Sequence, residues 1–192
     1  SQYQCRGSEL YHYPGCGLCT GLTAFVNPII MNPGFQLFKK QITSPLKFRL
    51  FMLQRLPSAL FAGLRVASLD EQQAVVTVTY KWFNRNHFRS MYFAIQLMAA
   101  EMSTGLLAFA QVYRREPSVS MLVVGLEAKF VKKATGTISF ISKDGQAIDE
   151  AIESSLAGGE GKTVTCYSVG IKESGEVVSE CRITWSFKAK KS

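Results

Sequence analysis

The chain has 192 residues, 47% of them hydrophobic and 19% charged, with a net charge of +8. That length fits one domain, or one domain with an extension, and can bury a core without staples, while the composition excludes disorder over most of the chain. The basic balance favours an anionic partner, but no nucleic-acid motif accompanies it, so nucleic acid is not the expected partner.

Residues 1–31 are read as an N-terminal extension ahead of a domain spanning 32–192, and removing 1–30 is expected to leave the fold intact. The first Met is Met31, and no basic stretch followed by an apolar one marks a signal peptide. Cys16 and Cys19 form a CxxC, and with Cys5 and His12 they would supply four zinc ligands on paper. No second CxxC or paired-His motif follows, so no metal site is assigned. A reduced, cytoplasmic chain is the simpler expectation from an odd cysteine count.

Over 45–64, Leu46, Leu50, Leu53 and Leu60 recur at helical spacing, interrupted by Pro57, with Lys47, Arg49 and Arg55 among them. This predicts one amphipathic helix packed on the domain edge, with membrane-surface contact by its basic face as a lesser alternative. Residues 63–69 read as a strand. Over 73–80 the alternation is clear, with Ala74, Val76, Val78 and Tyr80 on one face.

A polar loop, 84–90, then leads into 24 residues, 90–113, whose single charge is Glu101. Length and apolarity make this a candidate membrane span. Glu101 near mid-bilayer would cost about 3 kcal/mol on insertion scales, and Gln96, Ser103 and Thr104 add polarity. A core helix covering the neighbouring strands is the better reading, and no membrane span is assigned.

Strands follow over 122–133 and 137–142, joined by a turn at Thr135-Gly136. A short helix over 145–156 places Ile148, Ile152 and Leu156 on one face and stops at Gly158-Gly159. The last two strands, 163–172 and 177–187, form a hairpin across Glu173-Ser174-Gly175-Glu176. A turn centred on Ser174-Gly175 sets Cys166 opposite Ile183 and Cys181 opposite Ser168. The two cysteines are then diagonal neighbours roughly 7–8 Å apart, beyond the usual disulfide range of up to about 6.8 Å. Both thiols are expected to be free. Short connections between strands predict a largely antiparallel sheet holding one long helix in its concave face.

This order resembles the hotdog fold of thioesterases and dehydratases, and the segment 84–101 is most similar to a thioesterase-like hotdog family of largely unknown function. Asn84-Arg85-Asn86 matches that family's motif, Glu101 falls where hotdog thioesterases place an acid, and 130–140 and 148–165 match its later strand and helix pattern. The resemblance covers roughly 32–188. It implies an α+β hotdog domain, with an added N-terminal helix and a short helix before the last hairpin. It further implies a hydrolase of acyl-CoA or a related thioester, with no cofactor. An open antiparallel sheet wrapped round one helix leaves an exposed edge, so a homodimer or a dimer of dimers is expected. The helix departs from the family pattern by opening on Met91, Tyr92, Phe93 and Ala94 in place of His-Gly-Gly. That departure narrows the approach of a thioester and makes a non-catalytic protein binding a fatty acyl or acyl-CoA ligand the alternative. A scaffold subunit without a small ligand is the third reading.

Thioester hydrolysis needs a base or nucleophile and donors for an oxyanion. Glu101 is the expected base, its pKa raised if buried, with Asn86 orienting water or a carbonyl. The N–H groups of Tyr92 and Phe93, at the helix N-terminus, are the expected oxyanion donors. Met91 and Thr104 are expected to line the substrate, and Lys129, Lys132 and Lys133 to meet coenzyme A phosphates. Plainer readings stand beside these. Glu101 pairs with Arg85, Arg89 or a base of a partner subunit, Asn84 and Asn86 build a turn and cap, His87 is a loop residue, Met91, Met98 and Met102 pack the core, and the lysines end a solvated strand.

Overall fold

A computed structural model of the chain describes residues 32–190. Three short helices come first: α1 (Pro33–Ile42), α2 (Pro45–Arg55) and α3 (Pro57–Ala62). Each begins with a proline, whose fixed φ and missing N–H suit the first helical position. Pro57 thus divides the helix expected over 45–64 in two, and α1 is an addition to the single N-terminal helix expected. Phe35, Phe38 and Ile42 of α1 enter the core at helical spacing.

In α2 the core-facing residues are Phe48 and Met52, while Leu46, Leu50 and Leu53 point to solvent. The leucine stripe expected to pack on the domain is therefore the outer face. Asn32 anchors the start of this helical arm. Its Oδ1 accepts from Gly34 N–H, and its Nδ2 donates to the carbonyls of Gln111 at 2.9 Å and Tyr113 at 2.8 Å. A side chain on Gly34 would overlap the Tyr113 carbonyl, so α1 lies against the end of the long helix as only glycine allows.

The sheet has six antiparallel strands: β1 (Arg65–Leu69), β2 (Ala74–Thr79), β3 (Val119–Phe130), β4 (Thr137–Ser142), β5 (Lys162–Lys172) and β6 (Val177–Ala189), in the spatial order β1-β2-β4-β5-β6-β3. Alternation decides which side is inside. Ala74, Val76, Val78, Ile138, Phe140, Cys166, Cys181, Ile183, Trp185 and Phe187 are all buried. Val76, Phe140, Gly170 and Ser179 stand in one row across four strands. A Cβ on Gly170 would sit 2.8 Å from the Phe140 ring, so the glycine makes room for the largest side chain in that row.

The last hairpin has the expected register, with Cys166 opposite Ile183 and Ser168 opposite Cys181. Its turn is wider than expected. Lys172 and Glu176 close a three-residue loop in which Gly175 takes φ 83°, and a bulge at Gly170/Ile171 restores the pairing. Both cysteines are free thiols and buried.

The concave face holds α4 (Phe93–Val112), the long apolar helix; α5 (Gly145–Gly158) lies beside it and ends at Gly159 in the left-handed region. Among the described residues α4 is the one helix long and apolar enough to cross a membrane, but it is the core helix of the sheet. Its small residues Ala99, Ala100, Ser103, Ala108 and Ala110 are buried, which lets the strands approach closely. Two polar contacts fix its rotation. Ser103 Oγ lies 2.7 Å from Ser168 Oγ on β5, and Trp185 Nε1 on β6 donates to Thr104 Oγ1 at 3.0 Å.

Candidate functional site

The loop before α4 is held by its two asparagines. Asn84 is buried in a 3₁₀ turn (Trp82–Asn84); its Nδ2 donates to the carbonyls of Thr79 and Ala62, and its Oδ1 accepts from Lys81 N–H. Asn86 Oδ1 accepts from the N–H groups of Phe88 and Ser90, closing a tight turn in which Arg89 adopts φ 57°. The asparagines therefore shape the backbone. Arg85, Asn86, His87 and Arg89, with Tyr80, line an open cleft of about 390 Å³ on this loop.

The start of α4 differs from the expectation in one respect. Tyr92 N–H donates to the Asn84 carbonyl at 2.8 Å, so it is engaged inside the fold. The next N–H groups along, those of Phe93 and Ala94, occupy the first helical positions, where no intrahelical acceptor exists. Tyr92 and Phe93 side chains are exposed and meet edge to face, and the Phe93 ring lies 6.0 Å from that of Phe130 on β3. Gln96 is buried just behind; its Nε2 donates to the Met91 carbonyl, and its Oε1 has no partner among the described residues. Sequence reading missed this residue as a site neighbour, although its polarity inside an apolar run was the signal.

Glu101 sits on the half-open side of α4. That side carries Phe93, Leu97, Glu101 and Gly105, each one turn beyond the last. Burial raises the pKa of the Glu101 carboxyl above the ordinary value. No ion pair to Glu101 occurs among the described residues, so the pairing with Arg85 or Arg89 is not seen there. Gly105 leaves the carboxylate room, because a Cβ there would stand 3.2 Å from Glu101 Oε1 and 3.2 Å from Cζ2 of Trp185.

Most of the other expected site residues are engaged within the fold. Thr104 is buried; its hydroxyl donates to the Glu101 carbonyl at 3.0 Å and accepts from Trp185, so it does not face a ligand. Met91 is buried in the core, with its N–H donating to the Ala134 carbonyl, and does not line an open surface. Lys132 and Lys172 both bind Glu176, at 2.6 and 2.5 Å, and their hydrogen bonds hold the Glu176 carboxyl down to about 2. Lys133 Nζ donates to the Phe88 carbonyl, which ties the end of the β3–β4 connection to the asparagine loop. Lys129 stands opposite Glu180 on β6. The CxxC, with Cys5 and His12, lies outside the described residues. No group of three potential metal-binding side chains occurs among the described residues.

Known structures share this architecture. A probable thioesterase of unknown function from Pseudomonas aeruginosa, PA5026, superposes with a TM-score of 0.65 at 20% identity, covering 76% of this chain and 97% of that one. A Chlorobaculum tepidum protein of unknown function gives 0.64 at 15% identity, covering 82% and 97%. The Escherichia coli PaaI protein, from the phenylacetic acid degradation operon, gives 0.55 at 12% identity, covering 82% and 97%. At these identities the likeness is one of fold, and the fold is the thioesterase-like hotdog. No curated protein matches the chain in sequence. The model of a domain of unknown function, DUF4442, matches residues 46–187, so the chain belongs to the DUF4442 family.

Proposed function

We propose that the protein hydrolyses acyl-CoA or a related acyl thioester. The observation that carries this reading is Glu101, an acid with a raised pKa on the half-open side of an otherwise apolar core helix. A carboxylate shifted toward neutrality is a better-matched general base. Glu101 takes a proton from water as the water oxygen bonds to the thioester carbonyl carbon. The carbonyl oxygen becomes an oxyanion facing the N–H groups of Phe93 and Ala94. The oxyanion then collapses, the C–S bond breaks, and the thiolate leaves and takes up a proton.

In this reading the site is built from two copies of the chain. Eight residues separate Phe93 from Glu101, a rise of about 12 Å along the helix. One carbonyl cannot meet both in a single chain, so the donors of one copy work with the Glu101 of another. Strand β3 supports this, since it is an edge strand with Leu122, Val124, Leu126 and Phe130 exposed along it. Pairing across a two-fold axis there covers the edge and brings the two α4 helices together; a dimer of such dimers is compatible with the same contact. Lys129 and the cleft arginines Arg85 and Arg89 then offer charge to the carrier's phosphates.

The second reading, a non-catalytic protein holding a fatty acyl or acyl-CoA ligand, draws support from the bulk of Tyr92 and Phe93 and from the engaged Tyr92 N–H. A panel of acyl-CoA substrates separates the two. Turnover that falls by about 10²-fold in Glu101→Gln, the range for loss of a general base, supports hydrolysis. No turnover by the wild type, with acyl ligand co-purifying, moves the conclusion to the binder. A stable Glu101→Gln protein with undiminished turnover ends the assignment of Glu101.

A further inference from the structure

The helical arm α1–α3 presents a surface that neither the thioester site nor the sheet uses. Leu46, Leu50 and Leu53 are 80%, 56% and 52% exposed and lie within an arc of about 60° on α2. On the same helical wheel Arg49 lies about 60° to one side of Leu46 and Lys47 about 100° to the other. Phe48 and Met52, on the opposite side, hold the helix to the core. The result is an apolar stripe with a base on each flank, on a helix whose inner face is already committed.

The rest of the arm and the turn before α4 carry more exposed apolar groups. α3 follows α2 directly, and its exposed Phe61 meets the exposed Phe83 with ring centroids 6.5 Å apart. Trp82, beside Phe83, is 76% exposed, and Lys81 Nζ lies 5.9 Å from the Phe83 ring centroid. Large exposed apolar groups in this number mark an interaction surface.

Charge identifies the occupant. Residues 33–69 contain six bases, Lys39, Lys40, Lys47, Arg49, Arg55 and Arg65, and no acid. None of the ion pairs among the described residues involves any of them. A second copy docked face to face through this surface would set like charges against each other. An anionic bilayer surface complements both features: leucines and aromatics enter the headgroup boundary, and long basic side chains lay their stems along the apolar stripe and keep their heads at the phosphates. With eleven residues α2 is about 16 Å long, too short to span a bilayer but suited to lying in its surface. We infer that the α1–α3 arm is a surface anchor for anionic membranes, with α2 lying in the interface plane on Leu46, Leu50 and Leu53. The inference is independent of the hydrolase reading, and its test uses no turnover.

The test is flotation of the full chain with phosphatidylcholine vesicles, with and without one third phosphatidylserine. The protein is expected to float with the phosphatidylserine vesicles and not with the neutral ones. Lys47→Glu with Arg49→Glu is expected to lower the bound fraction by roughly tenfold or more, and high salt to act in the same direction. Leu46→Gln, Leu50→Gln and Leu53→Gln together should abolish flotation while leaving the melting temperature unchanged, because these side chains are outside the core.

Several results would overturn the anchor. The full chain stays in solution, or binds both vesicle types equally. The leucine variant floats like the wild type. The leucine variant loses oligomer mass, which makes the stripe a contact between copies. A chain lacking residues 1–31 floats where the full chain does not, which makes that segment the cover. Retention on an acidic protein in place of vesicles would overturn it too.

Discussion

The Glu101 carboxylate lies beside the bare Cα of Gly105, one helical turn on, with the Trp185 indole closing the other side. Gly105→Ala gains about 0.8–1 kcal/mol of helix propensity, but its methyl crowds both neighbours at 3.2 Å. The two effects oppose, so the melting temperature should stay near that of the wild type while thioester turnover falls. Gly105→Val, which adds more bulk for a smaller gain, should melt lower. Calorimetry and turnover on the same samples check both.

Glu101 also sets a pH dependence. Burial raises its pKa in the folded state above the ordinary 4.5, so the folded chain binds the proton more tightly than the unfolded one. The penalty for a charged Glu101 is absent at acid pH and grows as pH rises from about 4.5 through the raised value. Glu101→Gln removes it. The variant should therefore gain stability relative to the wild type on going from acid to neutral pH. Denaturant titrations across that range test the sign; a variant that instead loses stability at neutral pH would mean that Glu101 neutralises a buried base.

Asn32 joins the helical arm to the end of α4 by donating to the Gln111 and Tyr113 carbonyls. Asn32→Ala leaves buried acceptors without that donor, at a cost of about 1–3 kcal/mol. For a domain of this size that is a fall of roughly 2–12 °C in melting temperature. Removal of residues 1–30 keeps Asn32 and should leave the melting temperature unchanged. Amide exchange over α1 distinguishes local release of the arm from global loss.

Cys166 and Cys181 should resist alkylation. Burial, with Asp144 nearby, pushes the Cys166 thiol up to about 12, and burial pushes Cys181 up to about 11. Almost no thiolate exists at pH 8, and neither sulfur is accessible. Peptide mapping after iodoacetamide should find both unmodified in the native protein and both modified after denaturation.

Much of this fold is legible in the residues alone because its signals are local. Period-two alternation marks β2 and β6, and the glycine of the last turn together with that alternation predicts which residues face one another. A single carboxylate in a long apolar run is enough to single out Glu101. Helix α1 is not among the elements predicted from the residues, although Phe35, Phe38 and Ile42 repeat at helical spacing; only its packing on α4 makes the pattern plain. Tertiary structure decides the questions that need a second element. Phe48/Met52 and Leu46/Leu50/Leu53 are both valid helical stripes, and which one is core depends on what α2 lies against. The Tyr92 N–H is bonded by a carbonyl eight residues back, at Asn84, across a loop whose course no propensity predicts. Thr104 is polar on paper and able to meet water, but the indole of Trp185, eighty-one residues later in the chain, reaches it first. Burial and hydrogen bonding are properties of neighbours in space, and the chain order names only neighbours in sequence.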